Sequence, residues 1–357
     1  MKISVCLIVK DEEATLRRCL CCVTGFADEI IITDTGSSDK TKKIAAEFTD
    51  KIYDFKWIDD FSAARNYSFD KATGDYIFWL DADDVISGEN ADKIIKIKES
   101  DEQIDTYMFK YAVGFDDKGD PSFEYYRERL MRNCRLARFK GFVHEAIAPF
   151  GKIKLCDITI EHRKVNTGDP RRNLELYEKH LSMGEKLDGR GQYYYAKEFY
   201  FLGDYAKSKK ELLKFLDMNT KYIPDVKDAY VSVYKCEKKS GGNGDLKLLF
   251  SALERVGADS EIFCYIGDCY LAKGDTEQAV TYYKCALCVK DPTLQYGFYE
   301  RKFYYLEPLL RLTATNYNSG NKKTAEFYQR VCEEKYPTEK EVIFNSRFFS
   351  AYDKNGV

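Results

Sequence analysis

No stretch of this chain is apolar for eighteen consecutive residues, the length a membrane-crossing helix needs. The longest strongly apolar runs, Val5–Val9 and Tyr76–Leu80, are strand-sized. The chain opens directly on a strand-like run, without the long apolar stretch and cleavage site of a secretory leader, so a cytoplasmic protein is expected. Excess charge is also missing. Lys and Arg number 56 and Asp and Glu 59, a net of −3, so no global field holds nucleic acid or an anionic membrane. A four-cysteine zinc site is missing too. Of 12 cysteines Cys285 and Cys288 form a C-x-x-C, and Cys19 and Cys22, which share that spacing, lie in an apolar helical pattern and read as core rather than as ligands. The cysteines, Cys19, Cys21, Cys22, Cys264 and Cys269 among them, are expected to be free and to act as small buried hydrophobes.

What is present suffices for two folded domains, at about 150 residues per domain. The 44% hydrophobic content is that of a globular chain. The first half alternates strands with helical patterns. Ile3–Val9, Glu29–Thr33, Lys51–Phe55 and Asp75–Leu80 read as strands. The helices between them begin at Asp11 as an N-cap, then span Asp39–Phe48 and Phe61–Ala72. This alternation predicts an α/β domain with a mostly parallel sheet covered on both faces. From Asp105 to about His162 strand-like pieces dominate (Thr106–Val113, Ile153–Ile160), which predicts a mixed, antiparallel extension of that sheet.

After Asp169-Pro170 the pattern becomes helical and tyrosine-rich. Phe263, Ile266, Gly267, Tyr270, Ala279, Tyr283, Ala286 and Pro292 fall close to tetratricopeptide spacing. Ala196, Phe199, Gly203, Ser208, Leu212 and Phe215 follow the same register upstream. Gly320, Ala325, Cys332 and Pro337 repeat its second half. Small residues let paired helices approach and aromatics fill between them. The expected division is 1–168 for the α/β domain, 169–340 for an all-α helical-repeat domain and 341–357 for a tail.

Two strings invite chemistry. Asp34-Thr35-Gly36-Ser37 after an apolar strand would suit an aspartic protease, but that chemistry needs two aspartates sharing a proton, and no second Asp-Thr/Ser-Gly occurs. Asp81-Ala82-Asp83-Asp84 could be a dehalogenase-type phosphatase nucleophile, but such enzymes start with that strand and here three strand–helix units precede it. The better reading is a D-x-D site. Two carboxylates one residue apart at a strand end can meet a divalent cation and a ribose together, and Mg²⁺ or Mn²⁺ prefers such oxygen ligands. Asp34 and Asp83 both follow strands, at the edge where open α/β sheets bind ligands.

Four motifs in order, Ile8-Val9-Lys10-Asp11-Glu12-Glu13, Asp28 to Thr41, Asp60-Phe61-Ser62-Ala63-Ala64-Arg65-Asn66, and Gly74-Asp75 leading into Asp81-Ala82-Asp83, resemble a family 2 glycosyltransferase of the GT-A fold. The resemblance covers residues 1 to about 165. With its helical tail the chain is similar to bacterial tetratricopeptide-bearing members, a group including the sublancin-type peptide S-glycosyltransferases. The resemblance implies a Rossmann-like mixed sheet that binds a nucleotide sugar. Val9, Lys10 and Asp11 would line the base and ribose, with Ala82 in the same donor site. Asp34 would accept the uracil N3–H, Arg65 would lie near the base or diphosphate, and Asp81 would hold a ribose hydroxyl. Asp83 would bind the metal, with His162 as a further ligand. The family's acceptor-side acid falls at His144-Glu145, which makes Glu145 the candidate base. A sugar nucleotidyltransferase, which shares the sheet, should carry a Gly-rich loop where Lys10-Asp11-Glu12-Glu13 stands.

The function so implied is an inverting, metal-dependent transferase of hexoses. It takes a UDP-linked donor, UDP-glucose or UDP-GlcNAc, with Mn²⁺ or Mg²⁺. The repeats would present a peptide or protein acceptor or join a homodimer. The alternatives are a glycan or lipid-linked acceptor, or an inactive GT-A-like scaffold that binds partners through its repeats. His180 is expected on a helix surface, and Arg163, Lys164, Arg171 and Arg172 in a solvated interdomain segment.

Overall fold

The structure, a computed structural model, describes residues 1–115, 119, 121–165, 168–290 and 300–354. The chain forms two compact units, Met1–Lys186 and a second beginning at Leu187.

The first unit runs β1 (Ile3–Val9), α1 (Leu16–Val23), β2 (Glu29–Asp34), α2 (Thr41–Ala45), β3 (Ile52–Asp54), α3 (Phe61–Asp70), β4 (Tyr76–Leu80), β5 (Asp84–Ile86), α4 (Gly88–Glu99), β6 (Thr106–Phe115), β7 (Pro121–Arg132), β8 (Ile153–His162) and α5 (Arg172–Ser182). Its eight strands form one sheet in the order β3-β2-β1-β4-β7-β6-β8-β5. The first four are parallel. Beyond β4, β7 pairs antiparallel with both β4 and β6, and β5 pairs antiparallel with β8. β1 and β4 are buried on both faces and read as continuous apolar runs, as central parallel strands must. One face packs Val5, Leu7 and Phe78 against Leu16 and Leu20 of α1 and Ile94 of α4. The other packs Cys6, Ile77 and Trp79 against Phe69 of α3, Phe139 and Ile147.

Several expectations change. The first helix begins at Leu16, because Asp11 has a positive φ of 54° and its carboxylate accepts from Ser38 N–H at 2.7 Å. The helix expected over Asp39–Phe48 shrinks to α2. β5, α4 and β7 carry no clear period in the sequence. Arg129 lies wholly buried in β7. The first unit also runs past 168. His180, expected at the surface, is buried. Its ring stacks on Phe142 with centroids 3.8 Å apart, and its Nε2 meets the Asp59 carbonyl at 3.1 Å. Lys179 pairs with Asp59. These contacts make α5 part of the α/β unit.

The second unit is all helical: α6 (Gly189–Phe201), α7 (Tyr205–Asp217), α8 (Ile223–Lys239), α9 (Leu246–Val256), α10 (Ser260–Ala272), α11 (Thr276–Leu287), α12 (Glu307–Asn318), α13 (Lys322–Lys335) and α14 (Lys340–Lys354). The hairpins α6–α7, α10–α11 and α12–α13 share one joint. Gly203, Gly274 and Gly320 end the first helix of each at φ 79°, 81° and 81°, a left-handed position that favours glycine. Asp204 and Asp275 then cap α7 and α11 through the N–H groups of Lys207 and Gln278. These are the tetratricopeptide-like repeats expected from the spacing; Pro292 of that register lies outside the described residues. Ion pairs link every other helix in turn, Lys197–Asp228 (2.8 Å), Lys235–Glu261 (3.2 Å) and Asp268–Arg311 (3.0 Å). The expected tail is instead α14, which buries Val342 beside Leu306, Leu309 and Cys332. Cys19, Cys264 and Cys269 are buried as expected, whereas Cys21 and Cys288 are exposed and Cys22 and Cys285 half-buried. No described helix is long and apolar enough to cross a membrane.

Two predictions follow from the packing. Glu29 joins β1, β2 and the turn before β4: it accepts from Ser4 Oγ, Lys51 Nζ, Thr73 N–H (2.6 Å) and Gly74 N–H (3.1 Å). Burial pushes its carboxyl up, but these donors outweigh burial and bring it from 4.5 to about 2. The stability it contributes is present above pH 4.5 and is lost as pH falls through 4.5 toward 2. Glu29→Gln should lower stability by about 2 kcal/mol at pH 7, and urea titrations at several pH values should show the difference closing below pH 4. In the second unit, a Cβ on Gly267 would sit 2.3 Å from the buried Tyr283 ring. Gly267→Ala gains about 1 kcal/mol of helix propensity but overpacks the α10–α11 contact by about 2–3 kcal/mol. Urea unfolding should record a net loss.

Candidate active site

Three loops meet at the carboxyl-terminal edge of the parallel strands. The loop after β1 carries Lys10, Asp11 and Glu12, that after β2 carries Thr35 to Ser38, and that after β4 carries Asp81 to Asp83. The strand order reverses between β1 and β4, which is where doubly wound sheets bind ligands. The first two loops are knitted together. Asp11 N–H donates to Ser37 Oγ at 3.0 Å, Glu12 N–H to Thr41 Oγ1 at 2.7 Å, and Thr35 N–H to the Val9 carbonyl at 2.9 Å. Asp34 is buried, and its carboxylate accepts from Gly36 N–H (3.2 Å) and Ser37 N–H (3.0 Å). Gly36 turns the loop at φ 108°. Glu12 is half-buried. Burial raises its pKa, and Asp83 and Asp81 lie close enough to raise it further.

The third motif explains itself residue by residue. Asp60 caps α3 through Ala63 N–H at 2.9 Å, and Ser62 Oγ donates to the Gly141 carbonyl at 2.6 Å. Asn66 both donates to and accepts from the Phe139 backbone, at 3.0 and 2.9 Å. α3 is thereby fixed against the 137–147 segment, and its Arg65 points across the sheet edge. Arg65, expected near the base or diphosphate, is held between two carboxylates. Its Nη2 meets Asp81 Oδ1 and its Nε meets Glu145 Oε1, both at 2.6 Å. Trp79 and Phe139 flank the guanidinium at 5.0 and 5.2 Å. Glu145 therefore stands one arginine away from Asp81, next to His144, whose φ is a strained 51°.

Asp81, Asp83, Asp84 and His162 form the acidic centre. β5 pairs with β8 so that Asp84 lies opposite His162. His162 Nδ1 is 3.1 Å from Asp83 Oδ1 and 3.3 Å from Asp84 Oδ1. Burial lowers the pKa of this imidazole, but hydrogen bonds to Asp83 and Asp84 and the charge of Asp81 push it up to about 10. Burial raises the Asp81 carboxyl, but the Arg65 and Arg129 charges bring it well below the usual carboxylate range. Asp81, Asp84 and His162 present ligand atoms all within 4.8 Å of one another. Asp84, however, is wholly buried and already takes four donors: Asp81 N–H (2.9 Å), Arg129 Nη1 (3.1 Å), Tyr111 OH (3.1 Å) and His162. Asp81 and Asp83 keep some exposure. A divalent cation fits this donor set. Neighbouring ligands on an octahedral ion with bonds of about 2.1 Å lie about 3 Å apart, close to the Asp83–His162 separation. Asp84, Arg129, Tyr111 and Glu12 were not singled out as site residues from the sequence. Only the third acid of Asp81-Ala82-Asp83-Asp84 hinted at one of them.

The mixed sheet is GT-A-like and carries acidic residues at the carboxyl ends of β2 and β4. Residues 4–151 match the model of the glycosyl transferase family 2. A TPR repeat-containing protein of Synechococcus elongatus is 37% identical over 147 residues, 41% of this chain and 35% of that protein. The SPbeta prophage-derived glycosyltransferase SunS of Bacillus subtilis is 29% identical over 269 residues, 70% of this chain and 61% of its own. An uncharacterized glycosyltransferase of Rickettsia bellii is 34% identical over 107 residues, 30% of this chain and 36% of its own. The matches thus span from about a third to three fifths of the relatives' lengths.

Arg65→Met should leave Asp81 and Glu145 facing each other without a counter-charge. Breaking a buried pair in this way costs about 3–5 kcal/mol. Urea denaturation should show the loss, and Arg65→Lys should recover part of it.

Proposed function

We propose that the protein is an inverting glycosyltransferase that moves a hexose from a UDP-linked sugar to a peptide or protein side chain. The observation that carries this reading is the arrangement around Arg65, which joins Asp81 at the end of β4 to Glu145 at the edge of the same site. The donor's diphosphate would lie against Asp81 and Asp83, with the base between the loops after β1 and β2. Val9, Lys10 and Asp11 form one wall there and Asp34 contacts the uracil. Ala82 is buried between the two aspartates and holds their spacing. Asp83, Asp81 and His162 would hold Mn²⁺ or Mg²⁺, which when bound supplies positive charge against the departing diphosphate.

Glu145 takes the proton. An acceptor O–H or S–H attacks C1 from the face opposite the diphosphate. A bond forms from that atom to C1, the C1–oxygen bond to the diphosphate breaks with its electron pair, and the acceptor proton passes to Glu145. A base so placed contributes about 10²–10⁴-fold. Arg65 fixes the carboxylate through Nε while Nη2 holds Asp81, so donor and base keep a set distance. The helical repeats, whose stacked hairpins make extended surfaces, support a peptide acceptor.

A hydrolysis screen tests the reading. UDP- and GDP-sugars with Mn²⁺ or Mg²⁺ are assayed for released nucleoside diphosphate, beside Asp83→Ala. Release from a UDP-sugar, abolished by chelator and by the substitution, is the expected result. Undiminished release from Asp83→Ala would remove Asp83 from the cation site, and absence of any metal-dependent UDP binding would overturn the reading.

A further inference from the structure

The Arg129 side chain is wholly buried, as is that of its partner Asp84. A guanidinium carries five N–H donors, yet here only Nη1 is used, toward Asp84 Oδ2 (3.1 Å) and the Trp79 carbonyl (3.2 Å). Nε and Nη2 have no hydrogen-bond partner. The group is instead sandwiched, its central carbon 3.8 Å from the Trp79 ring centroid and 4.1 Å from that of Tyr111. A buried arginine with two idle nitrogens adds little to the packing that an apolar residue of the same volume would not. Its one ion pair among the described residues is with the Asp84 carboxylate.

That carboxylate has a task. Oδ2 accepts from the backbone N–H of Asp81, and Oδ1 accepts from Tyr111 OH and faces His162 Nδ1. One buried group therefore sets both the main chain that aims Asp81 and Asp83 and the ring that faces them. The Arg129 charge also offsets one of the carboxylates gathered at this centre.

Building on the cation site of the proposed function, we propose that Arg129 is a positioning residue for that site. It acts at one remove, by clamping Asp84 and through it the Asp81 backbone and the His162 imidazole. Trp79 and Tyr111 confine the guanidinium to a single orientation, so that only Nη1 reaches the carboxylate.

The test uses the full chain and Mn²⁺ alone, with free Mn²⁺ followed by electron paramagnetic resonance and no nucleotide or acceptor present. Arg129→Met should bind Mn²⁺ about 10- to 100-fold more weakly than the unsubstituted protein, the usual effect of losing an outer partner of a metal ligand. Arg129→Lys, which keeps one donor toward Asp84, should fall between them. Because Arg129→Met strands a buried carboxylate, Arg129→Met/Asp84→Asn is measured beside it. This pair removes both charges, and far-UV circular dichroism should show it folded. Weak Mn²⁺ binding by the folded double variant supports the positioning role. Mn²⁺ binding by it equal to the unsubstituted protein would overturn the role and leave the cation site standing. No Mn²⁺ uptake by the unsubstituted protein would overturn both.

Discussion

The Asp84 carboxylate is the constraint on which the site depends. It sits in the first residue of β5, where the chain leaves the D-x-D turn, and it is wholly buried. A buried carboxylate is tolerated only when paired and hydrogen-bonded on every side, and four donors from four elements meet that demand. The donors come from the turn itself, from β6, from β7 and from β8. The mixed half of the sheet is thus tied to the acidic edge of the parallel half by charge as well as by strand pairing. The short β5 strand, only three residues long, is held chiefly by this arrangement and by its pairing with β8.

The parallel half was legible from the sequence because its physics is local. Val5–Val9 and Tyr76–Leu80 are apolar runs bounded by polar turns, and such runs can only be buried strands. The ordered motifs around Asp34, Arg65 and Asp81 were legible for the same reason, since each sits within a few residues of the strand or helix that aims it. What escaped notice depends on distant partners. β7 alternates Glu, Tyr and Arg and has no apolar face of its own. It becomes a strand because β4 and β6 accept its backbone on both sides. Nothing near Arg129 in the chain shows that Trp79 and Tyr111 enclose it. His180 looked like a helix-surface histidine because the ring that covers it, Phe142, lies far back in the chain. The helical unit was legible through the spacing of its small and aromatic residues, which is again local.

The near-neutral composition conceals a strong internal ordering of charge. Few of the charges that matter are on the surface. Arg65, Arg127 and Arg129 all lie within 5.0 Å of the single indole of Trp79, and each is matched to a carboxylate that belongs to the site or to its supporting strand. Trp79 therefore works as a spacer. Its ring keeps three like charges apart while the acids on their far sides attract them, and the positive groups stand behind the acidic centre.

The ion pairs of the helical unit do comparable work in one dimension. From α6 to α8 the lysine comes first, from α8 to α10 again the lysine, and from α10 to α12 the order inverts to aspartate and arginine. A stack of near-identical hairpins could in principle slide by one repeat or accept a foreign neighbour, since its apolar seams are alike. Here the inversion marks one junction apart from the others: setting α8 against α12 would bring Lys235 toward Arg311, two like charges. The reversed pair thus works as a stop on sliding at that end of the array.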